Sequence, residues 1–159
     1  MTADFRKALG TFATGVTIVT TLSKDKQLVG VTANSFSSVS LDPPIVLWSL
    51  KKNSPSMEAF DHSGRFVVNV LSLAQTDLSK RFASPIPNKF ESVAYREGIA
   101  GLPLIDNCAA TFQCKLFNRV DAGDHIVFLG EVEAYEHHDH PTLMFCKGKY
   151  MKGSELELA

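Results

Sequence analysis

The chain has no surplus of either charge, no closely spaced cysteine pair and no apolar run long enough to cross a bilayer. Sixteen Lys and Arg stand against 17 Asp and Glu, a formal net charge of −1. No strong field therefore draws it toward nucleic acid or an anionic membrane, and neither is an expected partner. The stretch from Pro43 to Leu50 is one of its longer apolar segments, far short of the roughly 20 residues of a spanning helix. Asp4, Arg6 and Lys7 stand where a secretory signal would need an unbroken apolar core. Cys108, Cys114 and Cys146 are odd in number and form no C-x-x-C pair. That suits free thiols in a reducing compartment, so the expected location is cytoplasmic. Cys114 alternates with apolar residues and reads as a buried small hydrophobe. No G-x-G-x-x-G opens a helix after a strand, and there is no Walker-type loop, which excludes two common nucleotide folds.

What is present is a chain of 159 residues, 45% hydrophobic and 21% charged, suited to one globular domain over 1–159. Phe5, Ala8, Leu9 and Phe12 recur at helical spacing and predict a short opening helix. Strands are predicted at Thr14–Leu22, Leu28–Ala33, Pro44–Leu50, Arg65–Leu71, Ala109–Val120, His125–Glu136 and Thr142–Cys146, from their Val, Ile, Thr and aromatic content. Ser23–Gln27 reads as a hairpin loop. One short helix is predicted from Ser54, with Pro55 in its first turn. Another runs from Ala74 to about Phe82, where Ser72 and Gln75 have capping-box spacing. Strands dominate and helices do not alternate with them. The expected architecture is mainly β, a six- or seven-stranded antiparallel barrel with short peripheral helices.

The most unusual segment is Thr32–Ser40, where six hydroxyl or amide side chains lie in nine residues, followed by Leu41-Asp42-Pro43-Pro44. Such a loop can aim backbone N–H groups and hydroxyls at a phosphate or polyol. An ordinary turn whose Ser and Asn bond their own backbone would look the same. Glu136-His137-His138-Asp139-His140 has the composition of a metal site. Adjacent strand side chains point opposite ways, however, and Pro141 follows at once, so a solvated loop with no metal is the expectation.

Read with its neighbours, the polar segment belongs to a longer pattern. Upstream stands Phe5-Arg-Lys-Ala-Leu-Gly-Thr-Phe-Ala-Thr-Gly-Val16; downstream stand Phe66–Leu71, Phe82-Ala83, Lys89-Phe90, Gly101–Pro103, Gly123-Asp-His125 and Gly148-Lys-Tyr150. In this order and spacing the chain resembles the short-chain flavin reductases, NAD(P)H-dependent enzymes that supply reduced flavin to two-component monooxygenases. The resemblance covers Phe5 to Tyr150.

It implies an FMN-binding split β-barrel of Greek-key-like form, normally a homodimer, using FMN or FAD as cofactor with NADH or NADPH as co-substrate and an oxygenase component as transient partner. Thr32, Ala33, Asn34 and Ser35 would then face the isoalloxazine ring. Ser38, Val39, Ser49, Leu50 and Ser54 would line the ribityl and phosphate path. Phe82, Ala83, Lys89 and Phe90 would close the far side. His125, with Gly148 and Tyr150, matches nicotinamide-side positions, and His125 is the expected catalytic residue, bonding the cofactor or bringing positive charge to it. Hydride transfer needs stacking and donors rather than a carboxylate pair, and the sequence shows no convincing pair. Lys51-Lys52 stands near the expected phosphate path and suits FMN or the pyrophosphate of FAD. Two further readings keep the fold: a permanently bound flavin reducing a corrinoid or metal chelate, or a non-catalytic flavin- or haem-binding module. A pyridoxamine-phosphate oxidase would need paired arginines that are not seen here.

Overall fold

Residues 2–158 are described by a computed structural model. Helix α1 (Thr2–Gly10) leads into β1 (Thr14–Gly15), β2 (Thr17–Leu22), β3 (Leu28–Ala33), β4 (Ser37–Leu41) and β5 (Pro44–Lys51). Helix α2 (Met57–Ser63), β6 (Arg65–Val70), a 3-10 turn over Leu73–Gln75 and helix α3 (Thr76–Phe82) follow. The chain ends with β7 (Tyr95–Glu97), β8 (Pro103–Ile105), β9 (Ala110–Ala122), β10 (His125–His137), β11 (Leu143–Cys146) and β12 (Lys149–Lys152).

Seven strands pair antiparallel in the order β3-β2-β6-β9-β10-β5-β4, as the expected mainly β architecture requires. Alternate residues of each strand face one interior: Val29 and Val31 of β3, Phe66 and Val68 of β6, Phe112 and Cys114 of β9, Ile126 and Phe128 of β10, and Val46, Trp48 and Leu50 of β5. Trp48 sits at the centre, its ring 5.1 Å from Phe128 in a stack and 4.8 Å from Phe60 edge-on. The ladder itself does not close. Ser35, just beyond β3, bridges to β5 instead: its hydroxyl accepts from Ser49 N at 2.9 Å and donates to Ser49 O at 3.2 Å.

The outer face of β2 and β6 carries a smaller core under β8. Asn69 holds it, fully buried. Its Nδ2 donates to Ile18 O at 2.8 Å and to Thr20 Oγ1 at 3.1 Å, and its Oδ1 accepts from Ile105 N at 2.9 Å. A separate three-stranded sheet, β1-β11-β12, packs beside α3 through Val16, Phe82, Leu143, Phe145 and Tyr150.

Several expectations shift. The strand predicted over Thr14–Leu22 splits at Val16, so that β1 pairs with β11 while β2 joins the large sheet. The polar segment forms β4 over its second half, because its backbone pairs with β5 whatever its side chains are. The second helix begins at Met57 rather than Ser54. The Ser54 hydroxyl accepts from Ser56 N at 3.2 Å in a preceding turn, and Ser56 takes the cap position. At Ser72 the predicted reciprocal bonding is present, Ser72 N donating to Gln75 Oε1 at 2.9 Å, but it opens a 3-10 turn. Helix α1 forms as predicted, yet buries none of its residues, with Phe5 57% and Leu9 58% exposed, and Phe12 just beyond it is 78% exposed. No helix among the described residues is long and apolar enough to cross a membrane.

All three cysteines are free. Cys114 is buried, as expected, and so is Cys108; burial pushes both thiols up to about 12. Their neutral form supports the fold fully below the ordinary thiol value of 9.0, and that support is lost as pH rises toward about 12. A thiol reagent at neutral pH is expected to modify half-buried Cys146 first in the native chain, leaving Cys108 and Cys114 unmodified until the protein is unfolded. Peptide mapping after a timed pulse reads the order. Early labelling of Cys114 would mean that the barrel interior opens.

Candidate functional site

Helix α3 lies against the end strand β3, and the contact depends on a glycine. A Cβ on Gly30 would stand 2.7 Å from the Phe82 ring and 3.3 Å from that of Phe90. Without it the two rings meet edge-on, 4.9 Å apart, against the strand. Two residues further along β3, Thr32 Oγ1 donates to Ser79 O at 2.7 Å. The Ser79 side chain in turn shares a hydrogen bond of 2.8 Å with the Tyr150 hydroxyl of β12. Lys80 Nζ sits 5.8 Å from the Tyr150 ring centroid. Thr32 of β3, Phe82 of α3 and Tyr150 of β12 are thus brought to one edge of the barrel, with Ala83 and Phe90 in the connection that follows α3.

Lys89 joins them. Its ammonium donates to Phe82 O at 3.1 Å, at the C-terminal end of α3, and partial burial lowers its pKa from the ordinary value. No carboxylate pairs with it among the described residues. A cleft of 1080 Å³ opens beside this edge, lined by Gly30, Ser56, Lys89, Phe90 and Tyr95 among others. Of the predicted residues, only Lys89 and Phe90 line it.

A second group gathers where β3 runs toward β5. Thr17 Oγ1 donates to Ala33 O at 2.7 Å and holds the strand end. Asn34, Ser35 and Phe36 then lie outside every ladder, and Ser35 reaches Ser49. Ser38 pairs opposite Val46, whereas Val39 is the extra residue of a bulge, 48% exposed. The Leu50 side chain departs from expectation. It is 6% exposed and packs in the barrel core, since β5 alternates and Ser49 takes the other face. Only its backbone is available to a ligand.

His125 opens β10 after a turn in which Gly123 takes φ +63°, and it stands opposite Lys51 in the ladder. Its Nδ1 lies 2.7 Å from Asp124 Oδ1, and that hydrogen bond, followed by the charge of the imidazole, lowers the Asp124 carboxyl. No hydrogen bond joins His125 to Gly148, in the β11–β12 turn, or to Tyr150, in the small sheet. Lys52 is committed to Asp121 at 2.5 Å, which leaves exposed Lys51 as the free member of that lysine pair. At the other end of β10, Glu136 is held by Arg96 and accepts from Thr111 Oγ1 at 3.3 Å. Strand β10 continues to His137, one residue past its predicted end, and no three potential metal ligands converge among the described residues.

The donor set comprises a loop backbone free of any ladder, the hydroxyls of Ser38 and Ser54, and a partly desolvated ammonium, while the Ser35 hydroxyl is spent on Ser49. It is of the kind that holds an anionic, oxygen-rich ligand. Gly30 and Ser79 did not stand out from the sequence. A glycine inside a β-branched strand was the available signal for the first. A serine within a helix gives none for the second.

Residues 9–154 match the family described as a flavin reductase like domain. The chain belongs to the flavin reductase-like family. Over 145 residues it is 43% identical to a Rhizobium meliloti (strain 1021) protein named "Probable flavin reductase", covering 91% of this chain and 47% of that one. It is 42% identical over 147 residues to the FMN reductase (NADH) SmoA of Agrobacterium fabrum (strain C58 / ATCC 33970), covering 92% of this chain and 83% of SmoA. Nitrilotriacetate monooxygenase component B from Mycobacterium thermoresistibile superposes with a TM-score of 0.91 at 37% identity, over 99% of this chain and 92% of the other. The chain spans about half the length of the first curated relatives it matches, 47% of each.

The close approach at Gly30 gives a direct test of how the site is assembled. Gly30→Val is expected to lower stability by about 1–3 kcal/mol through overpacking against Phe82 and Phe90. The readout is a lower urea midpoint at unchanged slope. An unchanged midpoint would show that α3 does not pack on β3 as described.

Proposed function

We propose that this chain is an NAD(P)H-dependent flavin reductase, using FMN or FAD and passing reduced flavin to the oxygenase component of a two-component monooxygenase. When bound, the flavin would supply a two-electron acceptor for hydride from the nicotinamide, and the residues below would hold and orient the two rings. The reading rests above all on the match to the flavin reductase family across residues 9–154, joined to a site edge built from hydroxyls, backbone and one cation.

In this reading the backbone of Thr32–Ser35 faces the ring system and offers N–H donors where negative charge gathers on reduction. Ser38, Val39, Ser49, Ser54 and the backbone of Leu50 line the flavin tail. Lys89 gives up its carbonyl partner for a phosphate, and Phe82, Ala83 and Phe90 shield the far side. Gly148 and Tyr150 receive the nicotinamide with His125, which Asp124 orients through the 2.7 Å contact. The relatives' names support the co-substrate and the partner: SmoA is an FMN reductase (NADH), and the Mycobacterium protein is a monooxygenase component.

A homodimer accounts for the apolar surface that one chain leaves open, including Phe12 at 78%, Leu41 at 94% and Tyr135 at 70% exposure. Three free thiols suit a cytoplasmic location.

Anaerobic stopped-flow absorbance with NADH and either flavin tests the reading. Bleaching of the flavin band with many turnovers under excess flavin is expected. A flavin that binds and is reduced by neither nicotinamide would overturn it. His125→Ala is expected to slow NADH oxidation while leaving flavin affinity within about threefold, since its role is at the nicotinamide. Equal loss of both would place His125 at the flavin or in the fold.

A further inference from the structure

The small sheet ends on an open edge. Strand β12 has β11 on one side and, among the described residues, no strand on the other. Cys146 stands opposite Lys149 across the two-residue turn Lys147-Gly148, and the turn bond joins them. Alternation makes Met144 and Met151 the next bonded pair, which aims the N–H and C=O of Tyr150 and Lys152 at the open edge. Residues 153–158 continue from β12 and belong to no ladder, with Leu156 81% and Leu158 86% exposed.

We propose that this segment is an interface between two copies of the chain, in which residues 149–157 of each run antiparallel, edge to edge, about a two-fold axis at Gly153. The stretch Lys149-Tyr-Met-Lys-Gly-Ser-Glu-Leu-Glu157 carries its cations in the first half and its anions in the second. None of Lys149, Lys152, Glu155 and Glu157 forms an ion pair among the described residues. Pairing about Gly153 sets Lys149 opposite Glu157 of the second copy and Tyr150 opposite its Leu156, each contact occurring twice by symmetry. Tyr150 and Lys152 meet Leu156 and Ser154, residues of the same phase along an extended chain, so donors and acceptors match. Slipping the register by two residues sets Lys152 against its own copy or against Leu156. Slipping it by one turns the bonding groups away from each other.

The alternation that this pairing needs already extends past β12. A Cβ on Gly153 would stand 2.8 Å from Met144 Sδ, on the face that Met144 shares with Met151. Continued, it puts Leu156 on the face of Tyr150, which packs against Phe145 at 5.4 Å, and Glu155 and Glu157 on the face of Lys149. Leu158 of the second copy then falls opposite Gly148. That glycine lines a cleft of 480 Å³ between α1 and the β11–β12 turn, together with Arg6, Lys7, Gly10, Thr11 and Lys147. The cleft walls are largely carbon, as the stems of long cations provide, and suit a leucine side chain. The joined sheet ends on each side at β1, only two residues long, so the pairing closes on two copies and does not propagate.

Gly153→Cys in the full chain tests this. Opposed residues that exchange no hydrogen bonds lie about 4.5 Å apart at Cα, within reach of a disulfide. The added side chain meets the end of flexible Met144, which can move aside. Mild oxidation is expected to link position 153 to 153 about tenfold faster or more than position 24 to 24 in Lys24→Cys, an exposed site on the β2–β3 hairpin. Peptide mapping identifies the link and separates it from any at Cys146. Adding Leu156→Pro, at a position exposed in the single chain, is expected to lower linking to the control rate, because proline gives no N–H to the ladder. Adding Lys149→Glu is expected to slow linking about fivefold or more, and Lys149→Glu/Glu157→Lys together to restore it within about twofold. In the unaltered chain the Ser154 and Leu156 amides are expected to exchange slowly with solvent at high protein concentration and quickly on dilution.

Linking at the control rate would overturn the inference, as would linking indifferent to Leu156→Pro or to the charge reversal. Fast exchange at Ser154 and Leu156 at every concentration would do the same. The inference stands apart from the reductase reading: a chain that reduces no flavin would leave it untouched, and its own failure would leave that reading in place.

Discussion

The hydroxyl chain from Thr32 through Ser79 to Tyr150 joins three parts of the molecule that share no backbone ladder. Thr32 belongs to the seven-stranded sheet, Ser79 to helix α3 and Tyr150 to the small sheet formed by β1, β11 and β12. Ser79 is fully buried, so its carbonyl and hydroxyl must both find partners within the protein. Apolar packing of Phe82 and Phe90 brings α3 to β3 but fixes no rotation about the contact. The directional bonds at Ser79 fix it, and with it the spacing between the barrel edge and the glycine turn at Gly148.

Behind that edge lies a rigid support. The aromatic group of Trp48, Phe60, Phe66 and Phe128 fills the barrel, and Asn69 binds β2, β6 and β8 with a single amide. The segments proposed to hold ligand hang from the ends of these strands: Asn34–Phe36 after β3, Ser54 after β5 and His125 at the head of β10. Chemistry placed on short connections, carried by a close-packed core, keeps its geometry without needing its own packing.

How much of this the sequence revealed follows from which forces act locally. Strands β3, β5, β6, β9 and β10 were legible because their inward residues alternate with few interruptions. Strand β4 was not, since Ser37, Ser38 and Ser40 gain their pairing from β5 and not from their own character. Strands β7, β8 and β12, of three or four residues each, carry too little pattern to be seen. The periodicity of α1 identified an apolar face correctly but could not say what covers it. At the site, the family pattern assigned Thr32, Phe82, Lys89 and Tyr150 to three different sides of the ligand, and the structure brings them to one edge. The pattern could not reveal that Leu50 turns inward, which depends on the phase of β5, nor the role of Ser79, which depends on two partners remote in sequence.

The two free edges of the large sheet are guarded by different means. Strand β3 is flanked by α3, with the rings of Phe82 and Phe90 laid against Gly30. Strand β4, at the opposite end, is short, serine-rich and broken by the bulge at Val39. Neither presents a long, flat row of unpaired amides and carbonyls on which another strand could grow. The protein can therefore carry a highly apolar β framework without offering a template for amyloid-like stacking. At these two edges a neighbouring molecule meets side chains rather than an open ladder, so shape and charge there can discriminate between partners.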